Sequence, residues 1–128
     1  MTEYGQLLRI TFVIHIIIGF VFGIGYLLVP DLLYPMFGMT FADPSARAFG
    51  AMIIALAVGS LLALMTKEWD RVRILVEVEL IFTLLGPIAM IYHMFVPPTP
   101  GVMMWGPIAI LLLTWVLFLI SYLQEKKK

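Results

Sequence analysis

Four apolar runs of roughly 20 residues or more constrain this chain more than any other feature. They lie at about 7–29, 46–66, 72–96 and 103–123. Each is long enough to cross the hydrocarbon core of a bilayer as a helix, at about 1.5 Å per residue. None alternates polar and apolar residues, so a closed β-barrel is excluded and helices are the spanning option left. Hydrophobic residues make up 62% of the chain and charged ones 12%, about half the charged share of a soluble domain. Too few polar side chains remain to wrap a water-facing surface. The expected fold is all-α: one four-transmembrane-helix bundle over residues 1–128, integral to a cytoplasmic-type membrane.

Basic residues set the expected orientation. Arg9, Lys67, Arg71, Arg73 and Lys126, Lys127 and Lys128 fall at the N-terminus, the second connection and the C-terminus. A four-span chain places those three regions on one side. Arg47 alone falls on the other, flanked by Asp31 and Asp43. The bias predicts that both termini are cytoplasmic. Tyr4, Trp69 and Tyr122 then mark the inner boundary, and Tyr26, Tyr34, Tyr92 and Trp105 the outer one. The start "MTEYGQLLR" lacks a basic n-region and a small-residue cleavage site follows nowhere near, so a cleaved signal peptide is not expected.

The longest connection, over 30–44, contains the apolar stretch "DLLYPMFGM". It predicts an interfacial segment, either a short helix or a re-entrant turn, that packs at the interface or caps a cavity mouth. "ADPSAR" then supplies a helix start, with Asp43 as N-cap and Pro44 at the first helical position.

In lipid, helices associate through close contact of small residues and through interhelical hydrogen bonds. The first span offers Thr11, His15, Gly19, Gly23 and Tyr26 on one face, including the GxxxG pair Gly19 and Gly23. The second offers Ala51, Ala55, Gly59 and Ala63 at successive spacings of four. These ridges predict packing of the first span on the second, or on another copy. In the third span Glu79, Thr83, Gly86, Met90 and His93 form a face, and the Gly86–Pro87 pair predicts a kink.

Two glutamates in the third span divide by position. Glu77 is one turn from Arg73 and reads as a weak surface pair near the boundary. Glu79 lies six residues beyond Arg73, and His15 six residues beyond Arg9 on a span entering from the same side. Both therefore sit at similar depth. An isolated charged side chain in the bilayer centre costs about 2.5–3.5 kcal/mol, so Glu79 calls for a partner. His15 and Glu79 are expected to meet as a buried polar pair, either locking helix register or serving a proton-linked or ligand-binding role. On the fourth span, Thr114 and Ser121 are expected to bond neighbouring backbone.

Other chemistry is argued against. There is no cysteine, which excludes thiol nucleophiles, iron–sulfur clusters and covalent c-type haem. His15 and His93 enter opposite leaflets roughly 20 Å apart, too far for one haem. No HExxH, GxSxG, phosphate loop or carboxylate-rich metal cluster is present, so no metal and no cofactor is expected. A formal charge of zero gives no field toward nucleic acid. Arg47, His93 and Thr83 remain as possible ligand or anion contacts, with salt bridging the plainer role for Arg47.

The stretches "LRITFVIHIIIGFVFGIGYLLVP" and "ARAFGAMIIALAVGSLLA" resemble small four-helix membrane proteins of the DoxX-like type. Arg9, Gly19, Gly23, Arg47 and Gly50 match that outline, over roughly residues 7–95. A lysine-containing turn common after that family's first helix is absent; Tyr26 and Pro30 occupy the region. The resemblance implies a four-helix bundle and an accessory membrane subunit, in some members linked to quinone-dependent oxidoreductases.

Three functions follow from these features. The first is a non-enzymatic accessory or scaffolding subunit, homo-oligomeric or packed in a larger membrane complex. The second is a proton-coupled small-molecule transporter working as a dimer through Glu79. The third is a quinone- or lipid-binding membrane protein.

Overall fold

A computed structural model of the chain describes residues 2–39, 44–97 and 99–128. The elements are α1 (Gln6–Leu28), α2 (Pro30–Met36), α3 (Pro44–Thr66), α4 (Trp69–Phe95) and α5 (Trp105–Lys126). A single 3₁₀ turn, Val102–Met104, leads into α5. The described residues are almost all helical, and four of these helices are long and apolar enough to cross a membrane. The four expected spans thus correspond to α1, α3, α4 and α5, each within a few residues of its expected bounds. The expected N-cap Asp43 lies outside the described residues.

α1 packs most extensively on α3, and α4 on α5; α1 with α5 and α3 with α4 complete the bundle. Polarity is inverted relative to a water-soluble bundle. Ile17, Val21, Met65, Ile74, Ile81 and Leu85 point outward, while Thr11, His15, Ser60, Glu79, Thr83 and Thr114 are buried. Such an apolar exterior suits acyl chains, and the buried polar groups must find partners inside.

At one end, called here the tail end, three chain regions are stitched together. The Tyr4 amide donates to the Lys67 carbonyl and the Trp69 amide to the Thr2 carbonyl, forming one antiparallel bridge between Glu3 and Glu68. The Tyr4 hydroxyl donates to the Ala63 carbonyl at 2.8 Å. Burial pushes the Tyr4 phenol above its ordinary pKa, against the lowering effect of Arg9. Gly5, the N-cap of α1, has no side chain of its own to cap with. Its amide donates instead to Glu125 of α5 at 2.5 Å, and Lys128 holds both oxygens of that carboxylate at 2.9 Å. Above this clasp, Leu8, Phe12, Val76 and Phe118 are almost wholly buried and fill the tail half of the bundle.

The opposite end carries α2. Pro30 opens it at the first helical turn, and Phe37 just beyond it is buried with Tyr26, Met104 and Ile108. Gly38 has φ +71°, and the Gly101 amide donates to the Phe37 carbonyl at 2.7 Å. A Cβ on Gly38 would collide with the Gly101 backbone, so the close approach of the two loops requires glycine at position 38. The interfacial segment expected over 30–44 therefore contains a short helix that packs over this end; residues 40–43 lie outside the described set.

Candidate functional site

Three buried side chains from three helices converge at mid-bundle. α1 buries Thr11, His15, Gly19, Gly23 and Tyr26, the face read from its spacing. α4 buries Glu79 and Thr83 completely. His15 Nε2 lies 3.3 Å from Glu79 Oε2, so the structure brings the expected pair together. His15 Nδ1 is 2.8 Å from Ser60 Oγ of α3, a contact the sequence reading missed. Phe118 of α5 closes the fourth side, edge-on to the His15 ring at 5.6 Å.

The histidine is oriented by Ser60, and the glutamate is held by proximity alone. Neither Glu79 oxygen has a hydrogen-bond partner among the described residues, since the 3.3 Å approach lacks hydrogen-bond geometry. Around His15 and Glu79 four arrangements are chemically available: neutral imidazole with neutral acid, imidazolium with carboxylate, neutral imidazole with carboxylate, and imidazolium with neutral acid. The first two carry no net charge, and an apolar interior favours them over the last two. The order Ser60–His15–Glu79 has the connectivity of a nucleophilic relay. Ser60, however, has no exposed surface and lies in the α1–α3 seam, so no electrophile reaches its Oγ.

A partly open cavity of about 70 Å³ begins at His15 and runs between the α1–α3 pair and the α4–α5 pair toward α2. His15 and Tyr26 bound it on α1, eleven residues and so about 16 Å apart. Phe22, Phe49 and Phe82 give it aromatic walls; Ile53, Met90 and Leu111 give it aliphatic ones. Thr114 is its other polar residue near His15, and the Thr114 hydroxyl donates to the Ile110 carbonyl at 2.8 Å. Thr83 likewise spends its hydrogen on the Glu79 carbonyl at 2.6 Å, and Ser121 on Leu117 at 2.7 Å. Below this level Thr11 and Ser121 approach at 3.4 Å.

The three residues expected as ligand or anion contacts do not line the cavity. Arg47 Nη1 donates to the Leu27 carbonyl at 2.6 Å, at the end of α1. The last turn of α1 carries no basic residue, and its unpaired carbonyls and negative dipole end draw the guanidinium from α3. His93 is exposed beside Tyr92, whose ring centroid is 5.3 Å away. Thr83 is turned onto its own helix. The buried stripe of α4 runs Val76, Glu79, Thr83 and Pro87, leaving Gly86 and Met90 half-buried. Helical assignment continues through Gly86 and Pro87 to Phe95. Proline's missing N–H still leaves the Thr83 carbonyl without its intrahelical donor.

The packing ridge assigned to the second span also needs correction. Ala51 and Ala55 are exposed, and Gly59 is half-buried against Leu75 of α4. The face of α3 that meets α1 carries Ala46, Gly50, Ala57 and Ser60, with Ala63 buried further toward the tail end. A Cβ on Gly50 would lie 2.6 Å from the Leu27 nitrogen and 2.7 Å from the Gly23 carbonyl. A Cβ on Gly19 would lie 2.8 Å from that of Ala57. Backbone approach at Gly23 and Gly50, together with Ser60 on His15, sets the rotation of α3. Of the expected ridge, Ala51 and Ala55 turn away from this seam, Gly59 faces α4 and Ala63 is buried.

Among the described residues, no group of three or more His, Cys, Asp or Glu is placed to hold a metal ion. Comparisons with family models, with characterised proteins and with solved structures find no match to the chain.

Proposed function

We propose that this chain is an integral membrane binding protein that holds a small, largely apolar molecule taken from the bilayer. The observation that carries the reading is the cavity itself: aromatic and aliphatic walls ending at His15 and Thr114, with Glu79 buried behind His15. Ligand sites are typically apolar hollows with a few placed polar groups. Here the polar groups are few, His15 and Thr114 at one end and the Tyr26 phenol at the other, which matches a largely apolar molecule. Both termini are cytoplasmic in this reading, on the basis of the lysines and arginines gathered at the tail end. The cavity then occupies the outer half of the membrane, with α2 at its outer rim.

Native mass spectrometry of protein extracted from membranes in mild detergent tests the reading. A small apolar molecule is expected to co-purify, and Leu111→Trp, which fills the cavity, is expected to remove it. Protein that is empty when taken directly from native membranes, or whose occupant is indifferent to Leu111→Trp, removes the reading.

A second reading, an accessory subunit packed against another membrane helix, draws on Ala51 and Ala55. They turn small side chains outward on α3, where a neighbour can approach closely. It is also the role implied by the DoxX-like resemblance. The same native purification reports it as a stable dimer or a co-purifying subunit.

A further inference from the structure

One buried hydroxyl in the bundle stands apart from the others. Tyr4 donates to the Ala63 carbonyl, and Thr11, Thr83, Thr114 and Ser121 donate to carbonyls one turn back on their own helices. Ser60 is spent on His15. Tyr26 is only 8% exposed, yet its hydroxyl has no hydrogen-bond partner among the described residues. Its oxygen is not sealed in the packing, and the residue lines the cavity at the α2 end. A buried O–H without an acceptor is unfavourable, so this position calls for a partner that the surrounding side chains do not supply.

We infer that the cavity takes an uncharged molecule bearing a hydrogen-bond-accepting oxygen, a ketone or ester on an apolar body, with that oxygen on the Tyr26 hydroxyl. This rests on the binding reading above and goes beyond it by naming the class of molecule and the end at which its polar atom sits.

The lining decides between head groups. No Asp, Glu, Lys or Arg borders the cavity, and Arg47 is spent on the Leu27 carbonyl. An ammonium, carboxylate or phosphate would shed its water for one phenol and no counter-charge, which an apolar site penalises. His15 offers no substitute, because Nδ1 lies on Ser60 and Nε2 faces Glu79. Thr114 has given its hydrogen to Ile110. Tyr26 is the donor left in the lining, and a carbonyl, which only accepts, is completed by one donor. Position along α1 agrees. Tyr26 lies about 16 Å from His15, so the oxygen sits at the end that reaches the interface and the body runs inward past Phe22, Ile53 and Leu111. A molecule arriving from lipid keeps its head at the membrane face and binds without turning over.

The test uses purified protein in nanodiscs and four probes of matched size: 5-phenylpentan-2-one, its hydrocarbon isostere (4-methylpentyl)benzene, anionic 4-phenylbutanoate and cationic 5-phenylpentan-2-amine. Affinities are read by calorimetry after subtracting empty nanodiscs. Each probe is compared between wild type and Tyr26→Phe, so that partitioning into lipid cancels. The ketone is expected to weaken about tenfold in Tyr26→Phe and the hydrocarbon to stay unchanged. The charged probes are expected to show no binding that Leu111→Trp abolishes. A ketone indifferent to Tyr26→Phe, as when only water sits on the phenol, overturns the inference while the binding reading stands on the hydrocarbon. A hydrocarbon that weakens equally, or a charged probe bound as tightly as the ketone, does the same. If no probe binds the wild type, both fall. Should Tyr26→Phe misfold, infrared spectra of the carbon-13-labelled ketone on the wild type decide. A carbonyl stretch lowered relative to empty nanodiscs upholds the inference, and an unshifted one overturns it.

Discussion

The two halves of this bundle are built on different principles. In the tail half, large side chains from α1, α4 and α5 meet at the centre, with Phe12, Val76 and Phe118 at zero exposure, and the chain's extremities are tied by hydrogen bonds. In the α2 half, α1 and α3 stay in backbone contact through Gly23 and Gly50, yet the space between the two helix pairs is left open and lined with aromatic rings. A membrane bundle gains nothing from hiding apolar surface from lipid, because acyl chains solvate it equally well. Filling is therefore a local choice. One end spends its volume on rigidity and the other leaves it open, with His15 and Glu79 at the boundary between them.

The boundary gives the largest expected effect. His15→Leu leaves Glu79 with no polar neighbour and is expected to cost about 3 kcal/mol, read by unfolding in mixed micelles. Adding Glu79→Leu removes the stranded carboxyl and is expected to recover most of that loss. If the double variant is as unstable as the single one, the pair is not a coupled unit and the two halves lack this hinge point. Next, matched truncations compare the halves directly. Phe118→Ala opens a void of roughly 100 Å³, which at about 24 cal/mol per Å³ costs about 2.4 kcal/mol. Phe82→Ala, on the cavity wall, is expected to cost less than about 1 kcal/mol because its surroundings are already unfilled. Equal losses would erase the contrast. The smallest effect separates the α1–α3 seam from the lipid face. Ala57→Leu must push against Gly19 and is expected to cost about 1–3 kcal/mol. Ala55→Leu, two residues away and facing out, is expected to stay within about 0.5 kcal/mol.

Length and hydropathy made the four long helices legible, since a bilayer-spanning run of apolar residues is a strong signal in a chain this poor in charge. Rotation of those helices was not equally legible. When both the lipid face and the buried face are apolar, hydrophobicity no longer says which way a helix turns. On α1 the polar residues Thr11 and His15 joined the glycines on one face and fixed the answer. On α3 two small-residue stripes compete, and the longer run of alanines, through Ala51 and Ala55, is the exposed one. The signal that distinguishes them is Ser60, the sole hydroxyl of α3 deep among apolar residues, in helical register with Gly50 and Ala57. Arg47 misled for a related reason: its partner is a backbone carbonyl, which no side-chain pattern announces. The cavity was illegible because it is a property of volumes that fail to meet between helices far apart in sequence.

The contact between the Gly5 amide and Glu125 spans 120 residues. During synthesis α1 is made long before its capping carboxylate exists, and the clasp can form only after the three further long helices have been laid down beside it. Closure of that single bond is thus a molecular receipt that every crossing has arrived and taken its station. A chain that stops short of α5 would keep the Gly5 amide without this carboxylate partner.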